Sequence, residues 1–466
     1  MAETTSPTIS HISDLTPPSI ERTWLTAPHP DLPFAATCSA DKTVRVYSLR
    51  NFKLLSTITG GHKRSVRSCA WKPSVKGESV LATGSFDATV GIWRRWNNYG
   101  QDDGDKPWIL DDSNNNNSDE LEEEVTSHKL RHDADDAGSD EDEEWRFAVL
   151  LDGHDSEVKS VSWSPSGIFL ATCARDKSIW IWEDLDDGDN NFETVAVLQE
   201  HSGDVKCVSW HPTEDCLASG SYDDTIRIWR EDIDDWGQVA CLKGHTGTVW
   251  FVDWEPVGNV PSTLQSPELR EQWKEKHALS GPRLVSGSAD GTVRVWRRQA
   301  KQASTANTGI PSIIRPVGID ETWNEEAILP SNHALAIYSV AWSKRTGLIA
   351  STGSDGRIVV YEERLLQTPA PETTSGDKDA MDVDSSSAKP ADKSDVAGSQ
   401  TNWVILASID AAHGIYEVNH VTWAKRADRA RSVESSSTEI DEVLISTADD
   451  GSVKVWSLEG IRNGNI

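Results

Sequence analysis

Thirteen histidines and 75 aspartates and glutamates give this chain ample means for acid, base or metal-ligand chemistry, so their spacing decides their use. A histidine stands nine residues before a tryptophan at His62/Trp71, His154/Trp163, His201/Trp210, His245/Trp254 and His333/Trp342, and ten before it at His413/Trp423. Each pair is followed by an aspartate with an aromatic six residues on: Asp87/Trp93, Asp176/Trp182, Asp223/Trp229, Asp290/Trp296, Asp355/Tyr361 and Asp450/Trp456. Asp41/Tyr47 repeats the second half without a leading histidine, which makes seven units. Catalysis needs one convergent set of groups, whereas a histidine that recurs in every unit serves what every unit needs. Hydrogen bonding is that need, because a buried carboxylate without partners costs more than its satisfied bonds contribute. The recurrent His, Asp and aromatic residues are therefore assigned a structural role.

Other chemistry finds no support. The cysteines at 38, 69, 173, 207, 216 and 241 form no C-x-x-C pair and no Cys/His cluster at zinc spacing. Cys38 and Cys173 fall where other units carry Gly84, Gly220, Gly287 and Gly353, so they read as small-residue substitutes. No set of four thiolates is offered to an iron–sulfur cluster, and no glycine-rich phosphate loop opens a helix. The sequence thus assigns no catalytic, metal-binding or cofactor-binding residue, and the chain is not read as an enzyme. A net charge of −30 argues against nucleic acid or an anionic membrane as partner. The amino terminus lacks a basic and apolar leader pattern and no run approaches 18 apolar residues, so a soluble, cytoplasmic protein is expected, with nuclear entry open.

The elements that position the repeat are strands. Apolar and polar residues alternate in Thr225–Trp229 and Thr292–Trp296, the period of half-buried strands, and Gly-His, Ser-Pro and Asp-Gly pairs fall between such runs. These residues resemble WD40 repeats, and the resemblance implies an all-β, seven-bladed propeller with the His, a strand Ser or Thr, the turn Asp and the third-strand Trp in one buried set. One propeller is expected over residues 9–464, with repeats near 16–50, 61–96, 153–185, 200–232, 244–298, 333–364 and 413–458. The chain ends soon after the third strand of the last unit, so residues 9–15 are expected to close that blade, behind a disordered tail at 1–8. Two disordered insertions are expected, at 97–144 and 367–400; the first holds 18 acidic residues against three basic ones.

Repeat geometry also predicts a working surface. The residue before each turn aspartate belongs near one face, and the series reads Ala40, Phe86, Arg175, Tyr222, Ala289, Ser354 and Asp449. Four residues before the inner-strand tryptophans of blades two to six, near the channel mouth, stand Arg67, Lys159, Lys206, Trp250 and Tyr338. A cationic and aromatic sector on an acidic protein suits an acidic or carboxylate-bearing peptide. Arg175, Arg67, Lys159, Lys206, Phe86, Tyr222 and Trp250 are the candidate partner-binding residues.

The stretches Gly84–Thr89, Ala171–Glu183, Ser221–Thr225, Asp234–Trp236 and Gly244–Trp250 resemble the WD-repeat proteins of cytosolic iron–sulfur protein assembly. The resemblance is densest over about 145–255 and collinear elsewhere; Tyr47, Tyr361 and the acidic insertion depart from it. It implies an essential non-catalytic scaffold that helps deliver clusters to cytosolic and nuclear apoproteins. The implied partners are a small adaptor subunit, a HEAT-repeat subunit, a hydrogenase-like cluster carrier and the client apoproteins, with no cluster held by this chain. The competing reading is a ubiquitin-ligase substrate receptor or a histone-binding propeller. Receptors of that kind often carry Trp-Asp-x-Arg at a blade end, whereas the third-strand tryptophans here precede Arg94, Glu183, Arg230, Arg297 and Ser457.

Overall fold

A computed structural model describes residues 7–96, 145–188, 190–232, 235–258, 260, 267–299, 321–365, 401–429 and 441–460. The strands form seven four-stranded antiparallel sheets, and in six of them the strands a to d follow chain order from the inside outward. In the seventh, Val418–Lys425, Glu442–Ala448 and Val453–Glu459 are completed by Thr8–Asp14 from the other end of the chain. Thr8 pairs with Glu459 and Asp14 with Lys454, so the ring closes through hydrogen bonds between the two ends. Thr8 therefore belongs to a strand and not to the tail expected at 1–8. Residues 1–6 and the expected insertions at 97–144 and 367–400 lie outside the described residues.

The a strands are Thr23–Pro28, Val66–Trp71, Val158–Trp163, Val205–Trp210, Val249–Trp254, Ile337–Trp342 and Val418–Lys425, each packed against the next around a central channel. Small residues allow that approach. A Cβ added at Gly84, Gly220 or Gly287 would meet the next blade's inner-strand Val158, Val249 or Ile337 at under 3.0 Å. Cys38 and Cys173 take the same register position in their b strands, and both are fully buried.

The recurrent residues form a proton-matched chain, shown by blade 3. Trp182 Nε1–H donates to Thr172 Oγ1 at 3.0 Å, and the Thr172 hydroxyl lies 2.9 Å from His154 Nε2. His154 Nδ1 lies 2.9 Å from Asp176 Oδ2, which also accepts Asp155 N–H at 3.0 Å. The network assigns the proton to Nδ1, since the Thr172 hydroxyl, accepting from Trp182, then donates to Nε2 while Nδ1–H donates to the Asp176 carboxylate. Burial works to raise the Asp176 carboxyl, yet the hydrogen bonds from His154 and Ser178 prevail and hold it down at about 2. Blades 4 and 5 repeat the arrangement through His201/Ser219/Asp223/Trp229 and His245/Ser286/Asp290/Trp296. In blade 2 the set is looser: His62 meets Thr89 at 3.2 Å, while Asp87 is 3.5 Å away and Trp93 reaches Thr83. In blade 7, His413 bonds Ser452 and Ser446, Trp456 shares Ser446, and Asp450 holds Ser452. Blade 1 replaces the missing histidine with Ser19, bonded to Ser39 and Asp41, and Tyr47 donates to Pro17 O at 2.6 Å.

The residue after each turn aspartate has a left-handed φ in all seven blades: Lys42, Ala88, Lys177, Asp224, Gly291, Gly356 and Gly451 lie between +63° and +79°. Only three are glycine, so the other four turns are held against steric preference by the networks beside them.

A second aromatic tier accounts for much of the tryptophan content. Trp71 meets Trp145, Trp163 meets Phe192, Trp210 meets Trp236, Trp254 meets Trp323 and Trp342 meets Trp403, with ring centroids 5.5–6.1 Å apart. Each pair joins the end of an a strand to the start of the d strand of its own blade. The sequence reading did not find this tier, nor the one helix among the described residues, Pro267–Ser280. Proline at its first position and Glu268 in its first turn are favourable helix-start residues, but the helix lies inside an insertion where the strand period had no bearing. Its Trp273 stacks under the fully buried Arg283, which Glu255 and Glu363 clamp at 2.7 Å each.

Candidate partner-binding face

In an antiparallel blade the a–b and c–d connections emerge on one side and the b–c and d–a connections on the other. The turn aspartates lie in b–c turns and the histidines in d–a loops, so every network sits on the second side. The helix Pro267–Ser280 belongs to an a–b connection, on the first side. A d–a loop must deliver its histidine to an aspartate in the neighbouring turn, which fixes the length of both.

On the inner strands the second residue is half-exposed while its neighbours are buried, so it lines the channel just below this face. The strands bring Arg67, Lys159, Lys206, Trp250 and Tyr338 to that level. Trp24 and Asn419 complete the ring, and both escaped the sequence reading. Pro28 stands at the register position of the missing blade 1 tryptophan, and counting four residues back from it would have found Trp24.

The ring is a continuous belt of contacts. Lys159 Nζ lies 4.3 Å from the Phe86 ring, and Phe86 is 5.8 Å from Trp24, which carries Arg67 at 5.0 Å and Arg22 at 4.8 Å. Lys206 lies 5.4 Å from Tyr222 and 5.1 Å from Trp250, and Trp250 meets Tyr338 edge-on at 5.2 Å. On the far side Tyr338 and Ser354 bond Glu417, Asn419 bonds Asp449, and Asp449 pairs with Arg22 at 2.7 Å. The mouth thus carries cations and aromatics over blades 1 to 5, with Glu157 and Asp204 among them, and the carboxylates Glu417 and Asp449 over blades 6 and 7.

Arg175 stands outside the belt at the b–c turn of blade 3, 61% exposed, with Nη1 3.7 Å from Glu157 Oε2. Glu157 is held below the usual carboxylate range, chiefly by its hydrogen bond from Lys159 and further by the charges of Lys159, Arg175 and Arg64. One carboxylate is therefore shared by Lys159, Arg64 and Arg175. Tyr222 is 62% exposed at the corresponding turn of blade 4. Arg67, Lys159, Phe86 and Arg175 form one group, and Lys206, Tyr222 and Trp250 an adjacent one.

One residue further down, the channel is plugged. Phe251 meets His420 at 5.3 Å and packs against the cores between blades 1 and 2, 4 and 5, and 5 and 6. Burial pushes the His420 imidazole down to about 3, with the Arg67 charge adding to the effect, so it is neutral. Among the described residues no group of three His, Cys, Asp or Glu side chains is placed to hold a metal ion.

Seven four-stranded blades and the recurrent Trp–Ser/Thr–His–Asp set define a WD-repeat β-propeller. The family model of the WD domain, G-beta repeat, matches residues 22–48, 52–94, 145–183, 192–230, 236–297 and 325–362; the seventh blade lies beyond the matched residues. Relatives align over nearly the whole chain. A protein of Aspergillus terreus named "Probable cytosolic iron-sulfur protein assembly protein 1" is 65% identical over 466 residues, 98% of this chain and 100% of that protein. Proteins of the same name from Penicillium rubens, 64% identical over 97% of this chain and 98% of the relative, and Aspergillus flavus, 63% identical over 98% and 100%, agree. The chain belongs to the cytosolic iron–sulfur protein assembly protein 1 family.

Proposed function

We propose that this chain acts in cytosolic iron–sulfur protein assembly as a non-catalytic docking platform, and that the cationic sector of its network face receives acidic segments of protein partners. The observation that carries the reading is the contrast of charge. A protein with a net charge of −30 gathers Arg22, Arg64, Arg67, Lys159, Arg175 and Lys206 around one mouth, beside aromatic walls. An arginine fork suits a carboxylate, and the aromatic walls lower the local dielectric. Arg175 is the principal contact, because it is exposed and only loosely tethered; Phe86, Tyr222 and Trp250 supply the walls, and Arg67, Lys159 and Lys206 the field.

The partners are the proteins that the family resemblance implies: the small adaptor, the HEAT-repeat subunit, the hydrogenase-like carrier and client apoproteins. Work on such clients places the chain in the cytosol, with access to the nucleus. Affinity purification of the tagged protein, with and without Arg175→Glu, tests the reading. Loss of partners together with low activity of cytosolic iron–sulfur enzymes and normal mitochondrial ones supports it; unchanged recovery and activity overturn it.

A further inference from the structure

Arg67 differs from every other cation of the mouth. Arg22 has Asp449, Lys206 has Asp204, and Arg64, Lys159 and Arg175 share Glu157. Among the described residues no carboxylate lies within ion-pairing distance of Arg67 and no protein group accepts a hydrogen bond from it; its one close partner is the face of Trp24 at 5.0 Å. Burial lowers its pKa to about 10, and it senses Cys38, Cys173, Cys207 and Arg22, groups on blades 1, 3 and 4. The half-exposed second position of Val66–Trp71 and the contact with Trp24 put the guanidinium at the channel mouth.

Its surroundings are aromatic: the Trp24 face lies beside it, and Phe251 and His420 meet one residue further along their own strands. None of these supplies negative charge. His420 is neutral, and Lys159 and Arg22 repel Arg67. Two further donors go begging at the mouth level, since Trp24 Nε1 and Trp250 Nε1 are buried without an acceptor. Arg67 is half-buried at the mouth with no carboxylate among the described residues to offset its charge, which leaves the guanidinium open to an acceptor from outside.

We propose that the channel mouth is a binding site for a compact oxyanion held on Arg67, with phosphate, sulfate or a carboxylate group as the chemistry it accepts. The guanidinium presents two parallel N–H groups to two oxygens, the geometry of a compact oxyanion. The inference goes beyond the partner reading, because the site needs neither Arg175 nor any partner.

The test uses the full chain, with its melting temperature followed against sodium phosphate, sulfate and acetate, each compared with sodium chloride at equal ionic strength. A saturable rise with at least one of them is expected in the wild type and in Arg175→Glu, and its loss in Arg67→Met. A response to phosphate or sulfate identifies a free inorganic ion as sufficient, and a response to acetate alone identifies a carboxylate source. The absence of any saturable rise over chloride, or a rise of equal size in Arg67→Met, overturns the proposal. Should Arg67→Met fail to fold, crystals of the wild type soaked in selenate decide: an anomalous peak within hydrogen-bond distance of the Arg67 guanidinium upholds the site, and its absence refutes it. Arg175→Glu that loses its partners yet keeps the anion response separates this site from the partner surface.

Discussion

Arg175 lies 3.7 Å from Glu157, on a carboxylate that Lys159 already holds at 2.9 Å, and keeps 61% of its side chain in solvent. A second-choice ion pair at that exposure contributes little to stability, since exposed pairs are worth about 0–1 kcal/mol. Arg175→Glu is expected to melt like the wild type and to weaken partner binding at least tenfold, which is about 1.4 kcal/mol. Calorimetry beside quantitative pull-down checks both halves. A large fall in melting temperature would make Arg175 a structural residue.

Asp223 anchors blade 4 by accepting from His201, Ser202 N–H and Thr225, and its loss leaves the His201 Nδ1–H buried without an acceptor. Asp223→Ala is expected to cost roughly 1–3 kcal/mol, the penalty of an unsatisfied buried donor. Asp87→Ala should cost less, because His62 stands 3.5 Å from Asp87 and already bonds Thr89. Urea denaturation of the two variants gives the order; equal losses would contradict the difference in geometry.

Ala88 follows its turn aspartate at φ +72°, where Gly291, Gly356 and Gly451 stand in blades 5, 6 and 7. A left-handed conformation costs a residue with a Cβ roughly 1–2 kcal/mol, and glycine returns about 0.4–1 of that through the entropy of the unfolded chain. Ala88→Gly should therefore raise the melting temperature. A fall would show that the Ala88 methyl contributes more by packing than the turn loses by strain.

Acid should destabilise the propeller well before its aspartates titrate. Burial lowers His29 and His211 to about 4 and His277 and His420 to about 3, and lowers His201 as well. The unfolded chain takes up those protons near pH 6.5 and the folded one does not, so stability rises with pH across roughly 4 to 6.5. Asp253, raised to about 6 by burial, and Glu442, raised by the same cause, act in the opposite sense over part of that window. Five groups against two leave a positive slope. Below pH 4 the depressed aspartates add a steeper loss, as their carboxylates must be protonated. Melting temperatures from pH 3 to 7.5 check the sign, and a maximum near pH 5 would refute it.

The ladder between Thr89–Trp96 and Arg146–Asp152 still pairs Arg94 with Arg146, so the ends of the acidic insertion leave the blade side by side. Removing residues 102–143 is expected to leave the melting temperature and the maturation of cytosolic iron–sulfur enzymes unchanged. Insolubility or failed maturation would assign the insertion a role.

The repeat was legible because its cause is local. His201, Ser219, Asp223 and Trp229 meet within 29 residues of chain, and a hydrogen-bonded set that tolerates no missing member leaves the same spacing wherever it occurs. The same rule put Arg175 beside Asp176, since a turn fixes its own neighbours. The aromatic tier of Trp145, Trp236, Trp323 and Trp403 carried no such period, because insertions of unequal length separate the d strands from the marks before them, and Trp24 was hidden because Pro28 stands where its blade's tryptophan mark would be. Closure of the ring decided the rest. Thr8 meets Glu459, Arg283 sits between Glu255 and Glu363, and Arg67 lies among groups from blades 1, 3, 4 and 7. The sequence by itself determined what each blade is made of, through short-range hydrogen bonding. Only the tertiary structure decided which cation in the channel is left without a counter-charge, because that depends on side chains brought together by seven blades packing around one axis.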